Sequence, residues 1–296
     1  MLRAAFFTFS MVFGLLAAAV ASAQTPAQTP AQTMPAEPPL SERAPEVHAM
    51  LDALGMYEVI EIMSAEALAG STDPEAEMFP GQGGAAWQAM IARLHSVETM
   101  TEAFEAAFPV DRMTPDQIAR ITAFATAEPG RSVIEGEIAA RRAFLDPAVE
   151  DAAQIRFRER AEAEDPRLDL LGRFIAANDL VERNVMGALN SNYAFYRGLA
   201  DGGAFEVDLP EELMLAEVWG QEPQIRADTI EWLYSYQLAA YSGVTESDFE
   251  AYIAMSETPA GQALNAALFT AFDAMFDDTS YALGTAAAVF IAGEDT

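Results

Sequence analysis

A pattern of helix cap, apolar face, Pro/Gly break and second apolar face occurs twice in this chain, and it points to paired helices. The sharper copy is Val244–Leu264, VTESDFEAYIAMSETPAGQAL. The fainter one is Met113–Val133, MTPDQIARITAFATAEPGRSV, at a constant offset with no gap. Thr114 and Thr245 are N-cap residues by type, since a threonine oxygen accepts a hydrogen bond from the free amides of a first turn. Gln117 and Asp248 follow three positions on, where a polar side chain reaches back in capping-box fashion. Pro115 takes the first helical position, where its missing N–H costs nothing. Ile118, Ile121 and Ala125 then recur at helical spacing, matched by Phe249, Tyr252, Ile253 and Ser256. The break is Pro129-Gly130 in one copy and Pro259 with Gly261 in the other. A second apolar helix follows each: Val133, Ile138, Phe144 and Leu145 against Leu264, Leu268, Phe269, Met275 and Phe276. Each copy reads as a helical hairpin.

Between Thr114–Pro147 and Thr245–Asp278 the identities include Thr114/Thr245, Gly130/Gly261 and Asp146/Asp277. Alanine matches carry little weight in so alanine-rich a chain, so the shared order of elements is the better argument for duplication. The alternative is that any two amphipathic hairpins look alike. LVERNVMGAL (Leu180–Leu189) also aligns with VIEIMSAEAL (Val59–Leu68), which extends the expected repeat to residues 46–165 and 166–296.

The run YSGVTESDFEAYIAMSETPAGQAL resembles the signature of a bacterial family called domain of unknown function 2059. That family has an aromatic before a Thr-Glu cap, an acidic amphipathic helix, then Ser/Thr-Pro-x-Gly-Gln opening the next helix. Tyr241, Thr245, Glu246, Thr258, Pro259, Gly261 and Gln262 match it. The first copy departs from it, because Glu128-Pro129-Gly130-Arg131 compresses the Pro-x-Gly-Gln step. The resemblance covers about fifty residues well and implies an all-helical envelope domain. It brings no catalytic residues.

The 296 residues, 51% of them hydrophobic, are enough to bury a sizeable core. Arg3, the apolar run Ala4–Val20 and Ala21-Ser22-Ala23 have the form of a cleavable signal peptide over residues 1–23, and imply a periplasmic protein. An uncleaved membrane anchor is the alternative, since the apolar run approaches a bilayer-spanning length. With cleavage, no integral membrane span is expected. No cysteine follows, so a lipoprotein anchor is excluded and no disulfide holds the exported chain. Residues 24–45 (QTPA, QTPA, QTMPA, EPPLSER) read as a Pro-rich flexible linker, with a Pro-rich docking peptide as the other reading.

The net charge is −30, from 46 acidic and 16 basic residues, every basic one an arginine. Loss of Arg3 with the signal leaves 15 basic residues against 46 acidic, a charge of −31. Such a surface repels nucleic-acid phosphates and anionic headgroups; it suits solubility, cationic ligands or a salty medium.

Elsewhere, Met50, Leu51, Leu54, Val59, Ile62 and Met63 form an apolar face that ends at Ser71-Thr72-Asp73-Pro74. Phe79-Pro80-Gly81-Gln82-Gly83-Gly84 leads into a helix expected over Ala85–Phe108. It lacks the Lys-Ser/Thr and the preceding strand of a phosphate-binding loop, so it reads as a turn. Ala148–Asp165 reads as a solvated helix with pairs such as Arg158–Glu162, ending at a boundary at Asp165-Pro166. An arginine patch for an acidic partner is the weaker reading there. Phe205–Leu209 alternates like a strand without a partner strand and is taken as loop. The aromatics of Asn190–Leu199 (Tyr193, Phe195, Tyr196) and Ile230–Tyr241 (Trp232, Tyr234, Tyr236, Tyr241) are expected in the core and its rim, or else lining a groove for a peptide or lipid.

Without cysteine or lysine, thiol nucleophiles, Schiff bases and thiolate metal sites are excluded. His48 and His95 are the only imidazoles. Both fall in expected helices without HExxH spacing, and no GxSxG elbow or calcium-hand loop is present. Asp277-Asp278 is placed at a helix end, and no carboxylate pair stands out. No catalytic, cofactor-binding or metal-binding residue is therefore assigned, and no cofactor is expected. The expected architecture is all-α: two degenerate repeats of helical hairpins forming a bundle or array behind the N-terminal tether. The expected function is an exported, non-enzymatic binding or scaffold module of the cell envelope, engaging a protein, peptide or lipid. The alternative is a carboxylate-dependent hydrolase acting on an envelope polymer. Self-association through the duplicated hairpins is a third reading.

Overall fold

The computed structural model describes residues 38–70, 75–76, 78–205 and 210–293. Among them the regular structure is entirely helical, with no strand. The expected signal peptide, the linker up to residue 37, the break at Ser71–Pro74 and the alternating residues 206–209 lie outside the described residues. The first half comprises α1 (Leu40–Arg43), α2 (Pro45–Ala53), α3 (Met56–Ala69), α4 (Gly84–Leu94), α5 (Val97–Ala107), α6 (Pro115–Thr126), α7 (Gly130–Ala143) and α8 (Pro147–Glu162). The second comprises α9 (Pro166–Ala177), α10 (Leu180–Asp201), α11 (Glu211–Gly220), α12 (Glu222–Ala240), α13 (Glu246–Ser256) and α14 (Pro259–Ile291).

The expected caps form. Thr114 and Gln117 make a full capping box at α6: Gln117 N donates to Thr114 Oγ1 at 3.3 Å and Thr114 N to Gln117 Oε1 at 2.8 Å. At α13, Asp248 N donates to Thr245 Oγ1 at 3.2 Å, but the Asp248 carboxylate takes the Thr245 hydroxyl at 2.7 Å, so only half of the box exists. Thr258 caps α14 by accepting from Gly261 N at 3.1 Å. The apolar faces read from spacing are buried: Ile118, Ile121 and Ala125 in α6; Phe249, Ile253 and Ser256 in α13.

The two hairpin corners are built alike. A Cβ on Gly130 would strike the Phe124 carbonyl oxygen, and one on Gly261 the Met255 carbonyl oxygen, the residue six places earlier in each case. Only glycine lets the second helix start so close to the end of the first. Gln117 Nε2 also donates to Pro259 O at 3.2 Å, which ties the first turn of α6 to the corner that opens α14. Gln262 Nε2 donates to Ala177 O and Ser256 O, both at 2.8 Å, capping the C-terminal ends of α9 and α13. Beyond the corners the hairpins diverge, because α7 has 14 residues and α14 has 33.

Several local expectations are corrected. The linker read through Pro45 is folded from Leu40 onward, and Leu40 is fully buried. Gly55, at φ +68°, separates α2 from α3 within the apolar stretch read as continuous. The helix expected over Ala85–Phe108 is two, α4 and α5. Ser96 stops the first and caps the second by accepting from Thr99 N at 3.1 Å. Leu145 is exposed rather than part of the apolar face. Arg158 pairs with Glu231 on α12 at 2.5 Å instead of with Glu162, since α8 lies along α12.

The cores cross the expected boundary at Asp165-Pro166, where Asp165 simply caps α9 through the amide of Arg167 at 2.8 Å. One core joins Met50, Leu51, Ile60, Met100 and Phe104 to Ala267, Ala271 and Met275 of α14. A second joins Phe79, Trp87 and Ile91 to Val185, Leu189, Phe195, Leu283 and Ala287. A third joins Val133 and Ala140 to Leu171, Phe174, Phe249 and Ile253. The longest packed pair is α10 against α14, where Gly198 and Gly284 each lie against the other helix's backbone. No helix among the described residues is long and apolar enough to cross a membrane.

Candidate functional site

A cavity of about 350 Å³ lies between α7 and α12 on one side and α10 and α14 on the other, closed further by α3, α6, α9 and α13. Its size falls within the range of small-ligand pockets. From Gly261 to Phe276, α14 lines it over roughly 22 Å of helix at 1.5 Å per residue. Most of the wall is apolar, with Val59, Met63, Ile134, Leu264, Leu268 and Phe272 among its residues.

At the α7–α12 face a carboxyl is set among tyrosines. Glu137 shares a helix face with Val133, Ile134, Ile138 and Arg141, so the turn that buries the valine and isoleucines carries the carboxyl inward. Tyr241 and Tyr252 donate their hydroxyls to Glu137 Oε1 at 2.5 and 3.1 Å, and Tyr236 donates to the Glu137 carbonyl at 2.9 Å. Burial pushes the Glu137 carboxyl above the usual carboxylate range, opposed by the hydrogen bonds from Tyr241 and Tyr252. The same enclosure, with the neighbouring carboxylate, pushes the hydroxyls of Tyr241 and Tyr252 well above their ordinary value. Glu137 is half-buried and lines the cavity. Trp232 stacks on Tyr236 with ring centres 4.8 Å apart, and Phe174 lies 4.8 Å from Tyr252.

Arg141, one turn on from Glu137, bonds Glu66 of α3 at 2.7 Å and lies 5.9 Å from the centre of the Trp232 ring. Its Nε has no hydrogen-bond partner among the described residues, and neither has Oε1 of Gln237, a residue only 1% exposed.

A second carboxyl lines the cavity from α14. Desolvation pushes Asp273 up to about 6, helped by Asp277 one turn away and opposed by Arg183. Gly187 of α10 faces it; a Cβ there would sit 2.9 Å from Asp273 Oδ1. Asp277 is also raised by burial, and it accepts from Ser191 at 3.1 Å. Asp277-Asp278, expected at a helix end, is therefore in the interior of α14, where the helix runs on to Ile291.

The histidines stand apart from the cavity. His95 is the buried residue ending α4, its Nδ1 3.2 Å from Ile91 O, and burial lowers its pKa. His48 lies against Tyr57 at 5.1 Å. The aromatics divide: Phe195 and Tyr196 are core, whereas Trp232, Tyr236 and Tyr241 of the α12 segment line the cavity. No cluster of three His, Cys, Asp or Glu able to hold a metal occurs among the described residues. Glu137 and Asp273 were not singled out from the sequence. The available signal was an acid at core spacing: Ile134-x-x-Glu137-Ile138 and Phe269-x-x-Phe272-Asp273.

No protein-family model, curated protein or solved structure matches the chain.

Proposed function

We propose that the protein is an exported, non-enzymatic binding module of the cell envelope that holds a small apolar molecule in the cavity between its helices. The observation that carries this reading is the cavity itself, whose wall is apolar apart from a few inward-facing polar groups. A partly open cavity of about 350 Å³ with a mainly apolar wall leaves that wall against water unless an apolar molecule covers it. The signal-like residues 1–23 support export.

The test uses N-phenyl-1-naphthylamine, a neutral fluorophore that brightens in apolar surroundings. Its emission is expected to rise to saturation at one molecule per chain. Leu268→Trp, which fills the cavity from α14, is expected to weaken that binding by about tenfold. An absence of saturable binding overturns the reading, as does binding that Leu268→Trp leaves unchanged.

One observation favours a second reading. Two carboxyls with raised pKa, Glu137 and Asp273, line one cavity, as a carboxylate-dependent hydrolase requires. The mainly apolar wall offers little to hydrogen-bond a saccharide or peptide polymer, which places this reading second. Turnover of an envelope glycan that is lost in both Glu137→Gln and Asp273→Asn would reverse the order.

A further inference from the structure

The polar groups at the α7–α12 end of the cavity are unevenly matched. Both tyrosine donors converge on Oε1 of Glu137, and among the described residues none donates to Oε2. Gln237 Oε1 is buried without a donor. Against these two open acceptors stands one open donor, Arg141 Nε. A buried acceptor left without a donor, as Gln237 Oε1 is, carries the full penalty of its lost water. Glu137 Oε2 is open to a donor beside it, so this end of the cavity calls for a ligand that brings N–H or O–H groups.

Charge narrows the choice. Arg141 is the only basic residue lining the cavity among the described residues, and Glu66 already neutralises it at 2.7 Å. Among the described residues the acids lining the cavity are Glu137 and Asp273. An anionic headgroup would have to lie beside Glu137 with no free cation to receive it. A cation meets a carboxylate and the rings of Tyr236, Tyr241, Tyr252 and Trp232, whose faces attract positive charge. The rest of the wall, from Val59 and Met63 to Leu264, Leu268 and Phe272, takes hydrocarbon.

We propose that this end of the cavity receives the protonated amine of an amphiphile whose hydrocarbon tail fills the apolar remainder. The ammonium donates to Glu137 Oε2 and Gln237 Oε1, supplying the donors that both lack. An ammonium also favours the ionised form of Glu137, offsetting the burial that raises its pKa. The proposal rests on the reading of the cavity as a binding site for an apolar molecule, and it adds the headgroup.

Three probes of equal chain length separate the possibilities: decylamine, 1-decanol and decanoate, each displacing N-phenyl-1-naphthylamine from the mature chain at neutral pH. Decylamine is expected to compete about tenfold more strongly than decanol, with decanoate weakest. Glu137→Gln is expected to bring the amine and the alcohol together, while decanol keeps its wild-type affinity. Asp116→Asn, an exposed acid removed at the surface of α6, is expected to leave the preference intact and so controls for the overall negative charge. Equal or stronger binding of decanol or decanoate by the wild-type protein overturns the amine assignment and leaves the apolar carrier standing. A preference that survives Glu137→Gln overturns it equally, since net charge alone would then explain the selection. If no probe binds, both the headgroup and the carrier fall. The wild-type series decides the matter even where Glu137→Gln does not fold.

Discussion

Asp273 shows how a single side chain reports on the cavity. Its carboxyl is pushed from 3.8 to about 6, chiefly by desolvation, so the folded chain binds this proton more tightly than the unfolded chain does. The native state therefore holds more protons between those two values, and stability falls as pH rises through the window. The loss is complete above about pH 6. Asp273→Asn is expected to leave stability unchanged below about pH 4 and to raise it above pH 6 by about 1–2 kcal/mol, a figure already reduced for partial solvent screening. Thermal unfolding followed across pH checks this, and an effect equal at every pH would refute it. In the sequence, Asp273 and Glu137 were legible as acids at apolar spacing. Their partners were not: Tyr236, Tyr241 and Tyr252 lie about one hundred residues or more from Glu137, and local pattern says nothing about which distant helix completes a face.

At the scale of the helix, caps and corners were legible because their chemistry is local. Thr114, Thr245, Gly130 and Gly261 carry out the roles their residue types imply. The length of α14 was not legible. Asp277-Asp278 is unfavourable in a helix interior by intrinsic propensity, but packing against α10 and α5 overrides that preference and carries the helix on to Ile291. The contact of α10 with α14 depends on glycine from both sides, since Gly284 meets the carbonyl of Phe195 and Gly198 that of Tyr281. Backbone cannot step aside as a flexible side chain does. Gly284→Ala is thus expected to cost about 3 kcal/mol, measured by chemical denaturation. A cost below 1 kcal/mol would mean that the helices separate easily, and that the cavity wall they share is not rigid.

The molecule as a whole joins what the sequence divides. Residues 46–165 and 166–296 read as two repeats, yet each of the three larger cores draws side chains from both. The folded chain is therefore expected to unfold in one cooperative transition by calorimetry, whereas two resolved transitions would mean that the halves are independent. Its net charge of −30 also works against compaction. Raising ionic strength from about 0.01 to 0.15 M shortens the Debye length from roughly 30 to 8 Å and is expected to raise the melting temperature. The arrangement of the cores has a consequence for biosynthesis as well. Two of them are closed by α14: Ala267, Ala271 and Met275 complete one, Leu283 and Ala287 the other. A nascent chain that has not yet reached Pro259 can complete neither of these interiors, so its native fold waits on the synthesis of α14.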